Sequence, residues 1–454
     1  MLAADLLQCI VNKAFRSGLL MAPLPIEGID FPIVQYADDT LLLLQADARQ
    51  LVCLKSLLNT FATSTGLHVN YSKSSMIPIN MSTERTQRLA STFGCSVGTL
   101  PFTYLGLPMG TTKPRIEDMS SLMVKIERRL NGCSSLLSLS GRLQLVNSVI
   151  SPITTYAMCS IKLHKGVIDN IDSARKQCLW RGKVVDKKGG HLAAWPMVQK
   201  PKKKGGLGVI NLRLQNDALL LKQLHKFYSR QDVPWVNLIW DTYYQQKIPR
   251  ASREVGSFWW KDVLRLSTLY RGIARCSLGN GSTVLFWEDL WGPVILAQAF
   301  PNLYQAATNV SASVMEVMAA PDLVYVINLP LSQQAYDELI DLQDLLSDIT
   351  YEPEENDRWS FIWDNDKYSS KKLYTLAFST MHAPITFSWM WKSQCTLRIK
   401  VFAWLLLDDR LNTRVMLRRR NFNIQTGIEC VLYDTGIDED VDHLLFACPF
   451  ATRC

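Results

Sequence analysis

No uninterrupted apolar run in this chain of 454 residues approaches the ~20 residues that a membrane-spanning helix needs. The opening Met-Leu-Ala-Ala-Asp lacks the basic start of a secretory signal. Neither a membrane partner nor export is therefore expected. A disulfide framework is missing as well: the eleven cysteines are scattered, mostly single within apolar stretches such as those around Cys9, Cys53 and Cys159, which suits reduced, buried thiols in an intracellular protein. Charge of one sign is not abundant either, since the net charge of +8 is modest for this length. What the chain does have is apolar material. With 48% hydrophobic residues it can bury substantial cores, and its length suits about three domains.

The most informative stretch is residues 31–45, FPIVQYADDTLLLLQ. Phe31, Ile33 and Val34 on one side and residues 41–44 on the other read as short buried strands, with Ala-Asp-Asp-Thr between them as hairpin turn material. Asp38 and Asp39 then sit at the tip of a sheet. Two carboxylates held side by side against an apolar scaffold repel each other and lose hydration, so they favour a divalent cation between them. The plainer reading of a bare acidic pair is a surface-turn cap.

The residues around and after that pair carry a resemblance. Tyr36-Ala37-Asp38-Asp39 is similar to the YADD box of reverse transcriptases, Gly66-Leu67-His68-Val69-Asn70-Tyr71-Ser72-Lys73-Ser74 to the next box of the same palm, and Leu100-Pro101-Phe102-Thr103-Tyr104-Leu105-Gly106-Leu107-Pro108 to its primer-grip hairpin. Three boxes in the family's order resemble the polymerase polyprotein of LINE-type, non-LTR retrotransposons, especially the plant lineage. The resemblance implies RNA-directed DNA polymerisation with two magnesium ions, RNA and DNA as template and primer, and a nuclear location. Asp38 and Asp39 would hold magnesium and Tyr36 would shape the turn. Gly66, Lys73, Tyr104, Leu105 and Gly106 would lie near the nucleotide and primer. For Lys73 an ordinary solvated lysine is the competing reading. The family's glycine-rich QGDPLSP segment and its first catalytic aspartate are not found in this sequence, so half a palm without fingers is expected, inactive by itself.

The rest of the chain extends this reading. The expected fold class is α+β, mainly helical after the first 110 or so residues: a partial ferredoxin-like palm over residues 1–110, a helical thumb and basic segment over 111–230, an aromatic and acidic connector over 231–380, and a small helical zinc-binding-like domain over 381–454. Within the palm, a helix near residues 47–65 ending at Gly66 and a strand over 69–79 are expected. Residues 181–204 carry seven lysines and one arginine against the single acid Asp186. That is the footprint of a nucleic-acid backbone contact through Lys187, Lys188, Lys200, Lys202, Lys203 and Lys204, with glycines 205, 206 and 208 letting backbone approach phosphates. A solvated basic loop or a nuclear-import signal would leave the same trace. Residues 211–228 read as an amphipathic helix. The tryptophans between 235 and 291 read as core rather than as base-stacking platforms, Gly279-Asn280-Gly281-Ser282 as a plain hairpin turn, and the acids between 337 and 357 as a solvated face. At the C-terminus, residues 389–421 resemble the zinc-binding domain that ends these polyproteins. The family then places four zinc ligands, of which Cys430, His443 and Cys448 hold three, while Tyr433 stands in the fourth place. A neutral phenol is a poor zinc ligand, so zinc is expected to bind weakly, with Asp434, Asp442 or Cys454 as substitutes. A non-enzymatic nucleic-acid-binding remnant and the inert product of a decayed element are the alternatives to a polymerase.

Overall fold

The computed structural model describes residues 2–23, 33–133, 136–181, 191–244, 248–249, 255–424, 427–433 and 436–454. The chain divides into two compact units, Met1–Thr111 and Thr112–Cys454. It is α+β and mainly helical beyond the first unit, as the patterning implied.

In the first unit, helix α1 (Leu2–Arg16) buries Leu7, Val11 and Ala14 against Leu54, Leu58 and Phe61 of α2 (Ala48–Thr65). Local chemistry sets the ends of α2. The Asp47 carboxylate accepts from the backbone N–H of Arg49 and Gln50, and Gly66 closes the helix in the left-handed region at φ 73°. Between these helices lies the hairpin β1 (Ile33–Tyr36) and β2 (Asp39–Leu42). Phe31 lies outside the described residues. The hairpin strands are not buried as expected: Val34 and Leu43 are exposed, and only Ile33, Leu42 and Leu44 lean on the core.

The expected strand over residues 69–79 shrinks to β3 (Ser75–Met76), which pairs in parallel with β4 (Ser96–Val97). Asn70 is the physical reason. Its side-chain oxygen accepts from the Ser72 hydroxyl and the Lys73 N–H, which folds residues 70–74 into a turn. The sequence reading also passed over α3 (Thr83–Phe93), capped by Ser82. A third ladder, β5 (Phe102–Tyr104) with β6 (Leu107–Met109), completes the unit. Its strands therefore form separate two-stranded ladders and not one continuous sheet among the described residues.

In the second unit, α4 (Ser120–Cys133) is followed by a helical run from α5 (Leu139–Leu145) through a π turn at Val146–Ile150 into α6 (Ser151–Ser160). Leu143, Leu145, Val146 and Ile150 of this run are buried. Helix α7 (Lys165–Arg181) packs against it. The helix Leu212–Tyr228 is a central element: Leu212, Asn216, Leu220, Leu221, Leu224 and Phe227 are all fully buried, while Arg213 and Lys222 are exposed on its other side. Asn216 is tolerated there because its side chain is saturated: it accepts from Leu163 N–H and donates to the carbonyls of Met158 and Ile161 at the end of α6.

The aromatic connector is core. Phe227 stacks on Trp240 at 4.4 Å, and the buried indoles are satisfied internally, Trp240 by the Phe227 carbonyl, Trp260 by the Tyr244 hydroxyl and Trp359 by the Thr283 hydroxyl. Residues 279–282 do not form a plain hairpin turn. The strand Ala274–Ser277 pairs instead with the distant Arg358–Phe361, and the loop after it wraps the buried carboxylate of Asp357. That carboxylate accepts from the N–H groups of Gly279, Gly281 and Thr283 and from the Thr283 hydroxyl at 2.8–3.0 Å. Gly279 and Gly281 are needed because a Cβ on either would fall within 3 Å of neighbouring backbone. Asp357 is thus a structural anchor and not part of a solvated acidic face. Since each buried donor left unpaired costs about 1–3 kcal/mol, Asp357→Ala should destabilise the chain by about 3–5 kcal/mol in urea unfolding. A loss under about 1 kcal/mol would show that water replaces the carboxylate there.

Candidate metal centre and acidic hairpin

The acidic pair sits where the β1–β2 hairpin turns. Tyr36 pairs with Asp39 across the ladder, and Ala37 and Asp38 form the turn, with Ala37 in the left-handed region at φ 53°. An alanine there is uncommon and costs of order 1–2 kcal/mol. Tyr36, Asp38 and Asp39 are all exposed. The expected desolvation of the pair is therefore not found: both carboxylates keep their water, and burial imposes no demand for a cation. Among the described residues no third His, Cys, Asp or Glu joins them in a set close enough to share an ion. Exposed carboxylates remain able to hold magnesium loosely, since that ion keeps several waters and binds through one or two carboxylates.

The other residues singled out in this unit have local roles in the fold. Gly66 is the cap of α2, and Lys73 is exposed at the end of the Asn70 turn. Leu105 and Gly106 form the two-residue turn of the β5–β6 hairpin at φ 48° and 79°, the positive-φ pair that such a turn demands. The Tyr104 hydroxyl is buried without a hydrogen-bond partner.

The basic segment is more constrained than its composition implied. Lys187 and Lys188 lie outside the described residues. Lys200 is half-buried, and Lys202–Lys204 form a single 3-10 turn closed by Gly205. Lys202 places its ammonium 4.6 Å from the centre of the Trp391 ring, and the Lys204 Nζ donates to the carbonyls of Ser379 and Met381 at 3.1 and 2.6 Å. The Trp404 indole donates to the Gly205 carbonyl at 2.9 Å. Gly206 is required by the loop's own fold, because a Cβ would lie 2.0 Å from the Lys200 carbonyl oxygen. The loop thus fastens to the C-terminal helices Ile385–Lys392 and Leu397–Leu407, and Lys203 stays exposed. Composition registers charge, but it does not reveal which ammonium groups are already engaged.

The C-terminal cysteines and histidine come together. Cys430 lies at the start of a loop closed by hydrogen bonds from its N–H to the Ile437 carbonyl and from Glu439 N–H to the Ile428 carbonyl. His443 opens a π turn, its N–H donating to the Asp440 carboxylate, and Cys448 N–H donates back to the His443 carbonyl at 2.7 Å. One potential ligand atom from each of Cys430, His443 and Cys448 lies within 4.8 Å of the others, and all three residues are buried. The two sulfurs are 3.9 Å apart. Thiolates sharing a tetrahedral zinc at about 2.3 Å each sit roughly 3.8 Å apart, so the spacing fits. His443 Nε2 is buried without a partner, as a ligand atom facing a metal would be. Backbone hydrogen bonding from Ala451, opposed by burial and aided by Phe450, holds the Cys448 thiol below its ordinary range, towards the thiolate that zinc requires. Tyr433, Asp442 and Cys454 are exposed, Asp442 and Cys454 are not part of the cluster, and Asp434 lies outside the described residues.

One carboxylate nearby in sequence was missed by pattern reading. Asp408, which ends the helix Leu397–Leu407, has a buried oxygen without a partner. Burial pushes its carboxyl up to about 6, against the opposing pull of Arg410 and Lys200. A folded-state value above the unfolded one, about 3.9, means that stability falls as pH rises through that window and stays lower above it. Asp408→Asn should therefore melt higher than the parent chain at pH 7 and equally below about pH 4. Equal melting at both pH values would reject the burial argument.

Residues 368–454 match the family described as zinc-binding in reverse transcriptase, and the whole Cys-His-Cys cluster falls inside the matched segment. A putative ribonuclease H protein of Arabidopsis thaliana is 24% identical to the chain over 346 residues, an alignment covering 73% of this chain and 54% of that relative. The chain thus spans about half the length of the curated relative it matches. These similarities support a reverse-transcriptase-related retroelement protein, and the cluster is compatible with zinc.

Proposed function

We propose that this chain is part of the polymerase polyprotein of a LINE-type, non-LTR retrotransposon of the plant lineage, and that its ancestral reaction is RNA-directed DNA synthesis on an RNA template with a DNA primer. One observation carries the reading: a single chain holds an exposed hairpin with Asp38 at its tip and Asp39 opening its second strand, and a buried Cys-His-Cys centre within a segment similar to reverse-transcriptase zinc-binding domains. In this reading residues 1–110 are palm, 111–230 thumb and basic segment, 231–380 connector and 381–454 the zinc-binding end. Asp38 and Asp39 hold magnesium, which when bound stabilises charge on the transferring phosphate. Tyr36, opposite Asp39, flanks the pair. Cys430, His443 and Cys448 hold zinc, which ties the loop, the π turn and the last helix together. The nuclear location belongs to the same proposal.

The second reading, a nucleic-acid-binding remnant without catalysis, is favoured by the absence of a third metal ligand beside Asp38 and Asp39 among the described residues. Both readings require salt-dependent, sequence-independent binding. Affinity should fall by orders of magnitude between about 50 and 200 mM salt if six or more phosphates are neutralised. The geometry sorts the lysines. Lys203→Ala should lower the salt slope by about one. Lys204→Ala should leave the slope unchanged and lower stability, because its ammonium already serves two carbonyls. A flat salt response in fluorescence anisotropy would remove nucleic acid from both readings.

A further inference from the structure

We propose that the helices Ile385–Lys392 and Leu397–Leu407 form a stacking surface for single-stranded nucleic acid, in which Trp389 and Phe402 take bases and Lys392 and Arg398 take the phosphates beside them. This deepens the nucleic-acid reading above and rests on it. All thirteen tryptophans lie among the described residues, and Trp389 alone is exposed, at 63%. Large aromatic side chains are ordinarily drawn inward. An indole left in water on a helix that buries Phe387 on another side therefore points to a binding surface. Phe402, 49% exposed, stands out in the same way on the second helix, which buries Val401, Trp404 and Leu405. Neither ring is engaged by another ring among the described residues.

The charges beside the rings select the partner. Lys392, three residues on from Trp389, is its neighbour on the surface of the first helix. Arg398 and Phe402, four residues apart, repeat the arrangement on the second, and the two helices pack on one another. Lys392 and Arg398 are exposed, and their side chains have no ion-pair or hydrogen-bond partner among the described residues. Residues 385–420 carry eight Lys and Arg against Asp408 and Asp409 alone. The Lys202–Lys204 turn packs against the first helix and adds the exposed Lys203. An apolar protein partner would not call for this excess of free cations, whereas each nucleotide offers a flat ring and an anion a short step apart. Every base has a face to stack, so the surface is indifferent to sequence. A paired base keeps its faces within the duplex, so the surface takes unpaired strands.

Fluorescence anisotropy with the full chain tests this, using a labelled oligothymidylate of about 16 nucleotides and a DNA duplex of equal length. Trp389→Ala should weaken oligothymidylate binding by about 5- to 100-fold, the range for one lost base–aromatic stack, with salt slope and duplex affinity unchanged. Trp389→Phe should recover most of the loss. Lys392→Ala should instead lower the single-strand salt slope by about 0.7. Because both side chains are exposed, urea unfolding of these variants should match that of the parent. Parent-like oligothymidylate affinity in both Trp389→Ala and Phe402→Ala overturns the proposal and leaves the nucleic-acid reading standing. An equal loss on duplex overturns it as well, since stacking on unpaired bases would not be what was removed. So does self-association of the chain that Trp389→Ala abolishes while oligothymidylate binding is kept, which would give the face to a second copy. A parent chain that binds neither probe removes the nucleic-acid reading itself, an outcome distinct from the other three.

Discussion

Tyr433→Cys should tighten zinc binding by about 100-fold or more and raise the stability of the chain in the presence of zinc. Complete four-ligand sites hold zinc with apparent energies of about 10–16 kcal/mol, so each ligand accounts for roughly two to three decades of affinity. Here three ligands are already assembled: the two sulfurs are 3.9 Å apart and the Nε2 of His443 is buried without a partner. Little reorganisation remains before the metal binds. Position 433 lies three residues beyond Cys430 on one short loop, the Cys-x2-Cys spacing that brings two thiols onto one metal. Metal that binds only the folded chain stabilises it by mass action, so a 100-fold gain in affinity at saturating zinc adds about 2.7 kcal/mol. A chelator should erase the gain and return the variant to the stability of the metal-free parent. Competition with a chromogenic chelator, followed by unfolding with and without zinc, checks both halves. An affinity equal to that of the parent would mean that position 433 cannot turn its side chain inward.

The Cys-His-Cys cluster was legible in the sequence through the resemblance of the C-terminal residues to a zinc-binding domain, and its members are close along the chain. Cys430, His443 and Cys448 lie within nineteen residues of one another, and one loop, one turn and one helix start bring them together. Asp38 and Asp39 were legible as a hairpin tip because the pattern around them is local. Their exposure was not, because burial of a strand depends on what packs over it, and a run such as Leu41 to Leu44 looks alike on a covered and an uncovered face. The roles of Asp357 and of Lys204 were hidden by distance. Asp357 meets Gly279 across 78 residues and Lys204 meets Met381 across 177, and no local pattern records such a partner. An acid or a lysine read alone defaults to solvent, whereas the fold had engaged both. The tryptophans went the other way: their spacing within helices and their apolar neighbours announced a core, and hydrogen bonds from Trp240, Trp260 and Trp359 complete it.

The 454-residue chain by itself should not extend a DNA primer on an RNA template, although the acidic hairpin is formed. Two-metal transfer needs ions about 3.5–4 Å apart that clamp the attacking and leaving oxygens, and holding two such charges takes several convergent carboxylates. The hairpin offers Asp38 in its turn and Asp39 opposite Tyr36, both exposed, and no third ligand joins them among the described residues. Such a pair binds one magnesium at most, through water-rich contacts. Positioning of primer end and nucleotide contributes most of the rate in phosphoryl transfer, and the described part of the hairpin, with Tyr36, Asp38 and Asp39 all exposed, does little to fix either. The same geometry says what would change the outcome. Both outer edges of the β1–β2 ladder are unpaired among the described residues, so a strand from another polypeptide carrying a carboxylate has a place to add. Primer extension with the chain, beside an Asp38→Ala, Asp39→Ala double variant, decides the matter. Product from neither is the expected result. Product from the chain that disappears in the double variant would mean that a carboxylate outside the described hairpin completes the site, and the hairpin's open edges are where to look for it.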